Sequence, residues 1–343
     1  MRAAMHHPLI LLLFAVLLSS ACGGAHLVRG ELPGTGGAAA DGTVIATVSP
    51  PPAAAEPAAA APPAIGQASR PSPATPPPTV PLHPFLPANG RPRVVALDPG
   101  HGGPEVGAAG AGVAEKDVNL RIALKLKALL ERDGMIVVLT RDEDRRAVPP
   151  PGFEPPLDWR DTRKDLQARI DIANLAGADV FISIHNNGSS NPNERGTEVW
   201  WDGRRPFAAY NRALAELVLE ELLHHIRAAG YPTVNRGLKE DSSFRIWQGR
   251  AFPIFVLGPP RTGAVTTRAT NMPAVLGESL FLSNPSEAVQ LTREEMLDAI
   301  ARGYHAALTR YFHLIDDGTL ALPPEGLPPE TPNHYDLPGP TPR

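Results

Sequence analysis

Short runs of consecutive apolar residues mark the strands of this chain. Residues 94–97, 135–140, 180–185 and 273–278 are mostly apolar and are bounded by turn-forming or charged residues. Apolar runs of this length are typical of strands that are buried on both faces of a parallel sheet. Residues 196–201 alternate between polar and apolar positions instead, which predicts a strand towards the edge of the sheet.

Apolar residues spaced three or four positions apart predict the helices between these strands. Two of the apolar faces consist of Val118, Ile122, Leu126 and Leu129, and of Leu214, Val218, Leu222 and Ile226. Residues 165–176 and 292–312 are also predicted to be helical. Capping residues predict where helices begin, with Asp117 before the first helix, Asn284 before a short one and Thr292 opening the last.

Strands that alternate with helices favour an α/β fold, in which a mostly parallel central sheet is flanked by helices. We predict a single domain at residues 91–320, because that stretch carries all of these patterns. In open sheets of this kind, ligands bind at the carboxyl edge of the strands. The catalytic site is therefore expected at that edge.

Composition separates this domain from its flanks. The chain has 343 residues and 40 prolines, and the prolines are densest before residue 91 and after residue 320. Residues 23–90 are rich in Ala, Pro, Gly and Thr, which predicts an extended, disordered linker. Residues 321–343 are predicted to form a Pro-rich disordered tail. The formal net charge of −4 gives no sign of nucleic-acid binding.

Residues 1–22 are interpreted as a signal peptide. A weakly positive start precedes an apolar segment at residues 9–18, which is too short to span a bilayer comfortably. Small residues then lead to Cys22, the only cysteine in the sequence, so no intrachain disulfide is expected. This arrangement resembles a bacterial lipoprotein signal, although Leu18 lies four residues before the cysteine instead of three. It implies an exported protein that is anchored to a membrane through an acylated Cys22, with an ordinary cleaved signal as the alternative.

Two of the predicted strands each deliver a histidine at their exit. His101 follows the first strand in a Gly-rich turn, and His185 ends the third apolar run. With Glu115, on the loop before the first helix, they offer two imidazoles and one carboxylate. This set suits Zn²⁺ and leaves a fourth position open for water. Glu278 ends another strand and is the candidate carboxylate for moving protons.

Each of these residues also has an ordinary interpretation. A histidine at a strand end is often a polar surface group, Glu115 could be a solvated loop charge, and Glu278 could pair with an arginine. The sequence contains neither the H-E-x-x-H zinc motif nor the G-x-S-x-G nucleophile elbow. The single cysteine lies in the signal, so nucleophilic serine or cysteine catalysis has no support.

Six segments of the domain share a pattern with one enzyme family. They are residues 95–103, 115–120, 178–186, 195–199, 235–239 and 272–284. In this order they resemble the zinc-dependent N-acetylmuramoyl-L-alanine amidases of bacterial cell walls, of the amidase-3 type. The resemblance runs from about residue 93 to residue 311.

The resemblance implies that one Zn²⁺ per chain is bound by His101, Glu115 and His185, and that Glu278 is the catalytic acid/base. The implied substrate is peptidoglycan, and the implied reaction is hydrolysis of the amide bond between N-acetylmuramic acid and L-alanine. Such a reaction would serve cell-wall remodelling or the separation of daughter cells.

The sequence departs from the family pattern at residues 145–165 and 248–271, which are expanded and are expected in loops near the substrate groove. Two alternatives remain open. One is another zinc peptidase or deacylase that acts on wall fragments, and the other is a non-catalytic peptidoglycan-binding module. A binding module would not need Glu278 beside three metal ligands. No nucleic-acid partner and no obligate protein partner is indicated.

Overall fold

The structure is a computed structural model, and it describes residues 88, 90–241, 245–246, 250–251, 253–259 and 267–321. The predicted signal, most of the predicted linker and nearly all of the predicted tail lie outside the described residues, so these assignments stay predictions. Among the described residues, no helix is long and apolar enough to cross a membrane.

The described ranges contain ten strands and five helices. The strands are β1 (Val94–Pro99), β2 (Ala109–Gly110), β3 (Val113–Ala114), β4 (Ile136–Leu139), β5 (Val180–Asn187), β6 (Thr197–Trp201), β7 (Asn235–Glu240), β8 (Arg245–Ile246), β9 (Arg250–Ala251) and β10 (Ala274–Phe281). The helices are α1 (Glu115–Arg132), α2 (Asp161–Leu175), α3 (Ala208–Ala228), α4 (Pro285–Leu291) and α5 (Glu294–Asp316).

Six of the described strands form the central sheet, in the spatial order β4-β1-β5-β10-β6-β7. The first four are parallel to one another, whereas β6 is antiparallel to β10 and parallel to β7. The predicted α/β fold with a mostly parallel sheet is therefore confirmed. The carboxyl ends of β1, β5 and β10 meet at one edge, and the amino end of the reversed β6 lies at that edge too.

Helices cover both faces of the sheet. On one face α1 and α3 lie against the strands, and α5 packs against both helices. The core on this face includes Leu97, Leu126, Ile182, Leu222 and Tyr304. On the other face, the apolar cluster joins α2 to the turn at residues 253–257 and includes Ala96, Ile170, Phe181, Val256 and Met272. Removal of this apolar area from water stabilises the packing of helices on both faces of the sheet. That packing holds the strands, and with them the sheet edge that carries the site, in place.

The last two strands of the sheet show where the apolar pattern succeeds and where it fails. β6 is the second strand from one edge, as the alternation at residues 196–201 predicts. The edge itself is β7, for which the pattern predicts no strand. Its sequence is Asn-Arg-Gly-Leu-Lys-Glu, and both of its ends are exposed. An edge strand has little apolar surface to bury, and its sequence therefore carries little strand signal.

The first helix begins two residues before Asp117, the predicted capping residue. α1 starts at Glu115, and no side chain caps it. Its first amides are satisfied by backbone instead: Glu115 donates to the Ala108 carbonyl at 2.8 Å and Lys116 to the Val106 carbonyl at 3.2 Å. The prediction of Asp117 as the cap is wrong because the chain before the helix folds back as the β2–β3 hairpin and supplies these acceptors.

The two C-terminal helices give opposite results for their predicted caps. Asn284 caps α4, because its side chain accepts hydrogen bonds from the amides of Ser286 and Glu287. Thr292 does not cap α5, which begins two residues later without a side-chain cap. Its hydroxyl donates to the Val289 carbonyl at 2.8 Å and so closes the end of α4.

Candidate active site and metal centre

His101 leaves β1 in a left-handed backbone conformation, with φ of 63°. For a residue with a side chain this conformation costs about 1–3 kcal/mol and persists only where the surroundings hold it. Arg169 of α2 supplies that support, because its Nη2 donates to the His101 carbonyl at 2.6 Å. The guanidinium also donates from Nη1 to the Pro99 carbonyl at 2.8 Å. The turn is therefore fixed from the α2 side of the sheet.

Asp98 anchors Arg169 below this turn. Its buried carboxylate accepts hydrogen bonds from Arg169 Nη1 at 2.8 Å, Thr140 Oγ1 at 2.6 Å and Ser183 Oγ at 2.7 Å. Burial alone would raise the pKa of Asp98, but the Arg169 charge and these hydrogen bonds outweigh it and hold the pKa below its usual value. Asp98 is therefore a charged structural anchor that ties β1 to its neighbours, and not only a turn residue.

Glu115 lies at the start of α1 and contacts both histidines. Its Oε1 is 3.1 Å from His101 Nε2 and 3.0 Å from His185 Nδ1. The amide of Asn186 donates to the same oxygen at 3.2 Å, and the amide of Ala108 donates to Oε2 at 2.8 Å. The carboxylate is thus oriented by backbone amides from β5 and from the loop before β2, with one oxygen facing the imidazoles.

The three predicted metal ligands form one cluster. One candidate ligand atom from each of His101, Glu115 and His185 can be chosen so that all lie within 4.8 Å of one another. The two imidazole rings are 4.9 Å apart between centres and meet edge to face. Three ligand atoms at these separations can surround a single metal ion. The structure therefore places the three candidate ligands side by side.

Two glycines make room for this cluster. A Cβ atom at Gly100 would lie 2.1 Å from His185 Nε2, and one at Gly107 would lie 2.5 Å from Glu115 Oε2. Both distances are far below van der Waals contact, so any side chain at either position would displace a candidate ligand. The Gly-rich character of the loops around His101 is therefore a packing requirement of the site.

The side chains of the cluster shift one another's pKa values. Burial lowers the pKa of His101, but Glu115 and Glu105 outweigh this effect and raise it to about 10. Burial would raise the pKa of Glu115, yet His101 and His185 hold it well below its usual value. Glu115 therefore carries a negative charge, and a metal ion held by these residues would compete with the proton on His101.

Glu278 occupies the neighbouring strand at the same edge. In β10 it pairs with His185 of β5 on one side and with Glu198 of β6 on the other. Its Oε2 is buried and accepts no hydrogen bond from any described residue. Burial, followed by the charges of Glu115 and Glu198, raises the pKa of Glu278 well above its usual value, and His101 acts in the opposite direction. Glu278 therefore has one carboxyl oxygen without a partner among the described residues, beside the candidate metal ligands.

Sequence reasoning missed the residues that hold the site in place. Arg169 supports the His101 turn, and a buried arginine on α2 has a sequence signal: it lies three residues after Leu166 and one before Ile170, on the apolar face. A cation at such a position needs a buried partner. Glu198 and Arg236 carry no comparable local signal, because their importance depends on which strands are neighbours.

The two expanded loops contact α2 and each other. The amide of Ala147 donates to Asp165 at 2.6 Å, which fastens the first loop near the His101 turn. In the second, Arg268 forms an ion pair with Asp171 of α2 at 2.5 Å, and its guanidinium lies 5.4 Å from the ring centre of Phe153 in the first. The described parts of both loops are thus attached to the helix that carries Arg169.

Comparison with known proteins identifies relatives of this chain. The family described as N-acetylmuramoyl-L-alanine amidase matches residues 95–310. The germination-specific N-acetylmuramoyl-L-alanine amidase of Bacillus subtilis is 29% identical over 229 residues, which cover 66% of this chain and 82% of that protein. The amidase AmiA of Salmonella typhimurium is 31% identical over 252 residues, which cover 66% of this chain and 79% of that protein.

A solved structure shows the same fold. The CwlD amidase of Clostridioides difficile, determined in complex with the GerS lipoprotein, has a TM-score of 0.50 and 27% sequence identity to this chain. The match covers 65% of this chain and 99% of that one. Because the family match spans most of the described domain, the chain belongs to the N-acetylmuramoyl-L-alanine amidases, hydrolases that cut peptidoglycan between N-acetylmuramic acid and L-alanine.

Proposed function

We propose that this amidase uses one Zn²⁺ held by His101, Glu115 and His185, with Glu278 as the acid/base that moves the proton. The observation that carries the proposal is the position of Glu278 on the strand next to His185, with its Oε2 unpartnered among the described residues. The three candidate ligand atoms beside it lie within 4.8 Å of one another. A peptidoglycan-binding module would leave Glu278 without a role, and the family membership favours an amidase over a peptidase.

The residues fit zinc in number and in chemistry. Two imidazoles and one carboxylate are a common ligand set of catalytic zinc sites, which keep a fourth position open. The cluster is rich in nitrogen ligands, whereas Mg²⁺ and Ca²⁺ prefer oxygen ligands throughout. A zinc ion bound here would lower the pKa of a water molecule and polarise the carbonyl group of the substrate amide.

The chain's own residues then direct the proton. The free Oε2 of Glu278 accepts a proton from the attacking water, because no described hydrogen-bond donor competes for it. The burial that raises the pKa of Glu278 favours retention of that proton. Glu278 can then return the proton to the amine of L-alanine as the amide bond breaks.

Metal removal and restoration test the cofactor. Protein purified without added metal is expected to contain about one equivalent of zinc. Removal of that zinc with a chelator should abolish the release of dye from labelled peptidoglycan, and Zn²⁺ should restore the activity while Mg²⁺ should not. Full hydrolysis by metal-depleted protein would contradict the proposed cofactor.

We also propose that the enzyme is exported and anchored to a membrane through Cys22. The support is the apolar segment at residues 9–18, which precedes this cysteine, and the Pro- and Ala-rich stretch that follows it. A Cys22→Ser variant is expected to move from the membrane fraction to the soluble exported fraction, because it cannot be acylated. Unchanged fractionation, or an unmodified mature N-terminus in the original protein, would rule out the anchor.

A further inference from the structure

A row of three functional groups crosses the sheet at its catalytic edge. His185 of β5, Glu278 of β10 and Glu198 of β6 are successive cross-strand partners. Directly opposed residues of antiparallel strands have Cβ atoms about 4.5–5.5 Å apart, so Glu198 is an immediate neighbour of Glu278. Two acidic side chains opposed in this way repel each other and destabilise the pair. Other contacts of Glu198 must therefore offset this repulsion.

Glu198 is a buried carboxylate with three hydrogen-bond donors, and its exposed fraction is 1%. Arg236 of β7 donates from Nε to Oε2 at 2.7 Å. Asn187 Nδ2 donates to Oε1 at 3.0 Å, and Trp200 Nε1 donates to the same oxygen at 3.1 Å. Both oxygens of Glu198 are therefore engaged, in contrast to the free Oε2 of Glu278.

Arg236 is held on several sides. Beyond Glu198, its Nη1 donates to Glu194 Oε2 at 2.6 Å, and the guanidinium lies 4.8 Å from the ring centre of Phe281. Its strand is two positions from β10, a backbone separation of about 10 Å. The arginine already reaches the neighbouring strand β6, where it binds Glu198. Without that partner, its guanidinium could extend toward Glu278.

We propose that Glu198 is a positioning residue for the acid/base: it holds the guanidinium of Arg236 on β6 and so keeps a cation from pairing with Glu278. The inference rests on the proposed function of Glu278. An Arg–carboxylate pair is strong and often bidentate, so it would occupy the oxygens that must exchange a proton. Glu198 thus preserves a carboxyl group that is free to accept the proton of the attacking water.

The first test is a Glu198→Gln variant. It is expected to lower kcat by about 10- to 100-fold, while KM and zinc content stay close to those of the original protein. Tm should fall as well, because the substitution leaves the charge of Arg236 without its buried partner. Glu194→Gln is the matched control, because it removes the other carboxylate from Arg236 and leaves Glu198 in place. Its kcat is expected to stay within about 2-fold, because Arg236 keeps its hydrogen bond to Glu198. A Glu198→Gln enzyme with unchanged kcat would overturn the proposal.

The decisive variant is the double substitution Glu198→Gln with Arg236→Met, which removes both charges. If Glu198 acts by holding Arg236, the double variant should recover most of the kcat lost in Glu198→Gln. A double variant with no more activity than Glu198→Gln would overturn the proposal, because Glu278 would then stay impaired although the arginine is gone. Recovery of Tm without recovery of kcat would likewise overturn it, since it would show a structural role only. If Glu198→Gln does not fold, the double variant is compared with the original protein, and a loss of more than about 10-fold in kcat counts against the proposal.

A Glu278→Gln variant in the same assay separates this inference from the function on which it rests. An active Glu278→Gln enzyme would remove the proposed acid/base itself. An inactive Glu278→Gln enzyme together with a failed rescue would remove only the role of Glu198.

Discussion

Replacement of Glu278 with glutamine is expected to lower kcat by about 10²–10⁴-fold while zinc content and fold are kept. Glutamine has the shape of glutamate and one carbonyl oxygen, but it cannot accept the proton of the attacking water. The loss of charge should be tolerated by the fold, because Glu278 Oε2 has no hydrogen-bond partner among the described residues. The measurements are kcat on labelled peptidoglycan, zinc content and Tm.

The same measurements on Glu295→Gln provide the control. Glu295 lies in the first turn of α5, and its side chain is 74% exposed, so all three values are expected to stay unchanged. Near-normal hydrolysis by Glu278→Gln would show that the acid/base is assigned wrongly. A Glu278→Gln protein that lacks zinc would instead make Glu278 a metal ligand.

Replacement of Glu115 with glutamine is expected to weaken zinc binding and not to affect proton transfer directly. The buried carboxylate contacts both imidazoles, and a neutral amide is a poorer partner for a dication. The expected loss of zinc affinity exceeds the roughly 10–100-fold typical of losing a hydrogen-bonding partner of a ligand. Activity should fall with zinc content and recover partly at high Zn²⁺ concentration, as measured by metal titration with an activity readout.

Glu105→Gln is the control variant for the loss of zinc affinity expected in Glu115→Gln. Glu105 Oε1 lies 3.6 Å from His101 Nδ1, whereas Glu115 contacts Nε2, the other ring nitrogen. Glu105 can therefore orient the imidazole without being one of the three candidate ligands. Its replacement should weaken zinc binding less than that of Glu115. Equal zinc affinities for the Glu115→Gln variant and the original protein would remove Glu115 from the ligand set.

The apolar pattern predicted much of the fold because the central strands are buried on both faces. β1 opens with four consecutive apolar residues and β5 with a run that is apolar except for Ser183, and a candidate ligand follows each run, His101 or His185. Since parallel strands share one carboxyl edge, the convergence of these residues followed from sequence and topology rules alone. The spacing of apolar residues also located α1 and α3 correctly, because the packed face of a helix repeats with its turn.

The support of the site could not be read from local sequence. Asp98 and Arg169 are 71 residues apart, and only the packing of α2 on the sheet brings their charges together. The pairing of Glu198 with Glu278 requires β6 to lie antiparallel beside β10, which no spacing of apolar residues specifies. β7 is polar and exposed at its ends, so the position of Arg236 on the sheet edge was equally hidden.

The central claim is the bond that is cut, and mass spectrometry of the products tests it most directly. Purified peptidoglycan is digested with the zinc-loaded protein, and the soluble species are compared with those from a Glu278→Gln digest. We expect intact stem peptides that begin with a free L-alanine amine, together with glycan strands that keep the lactyl carboxylate of N-acetylmuramic acid. Peptides cut within the stem, with L-alanine still joined to the lactyl group, would contradict the account.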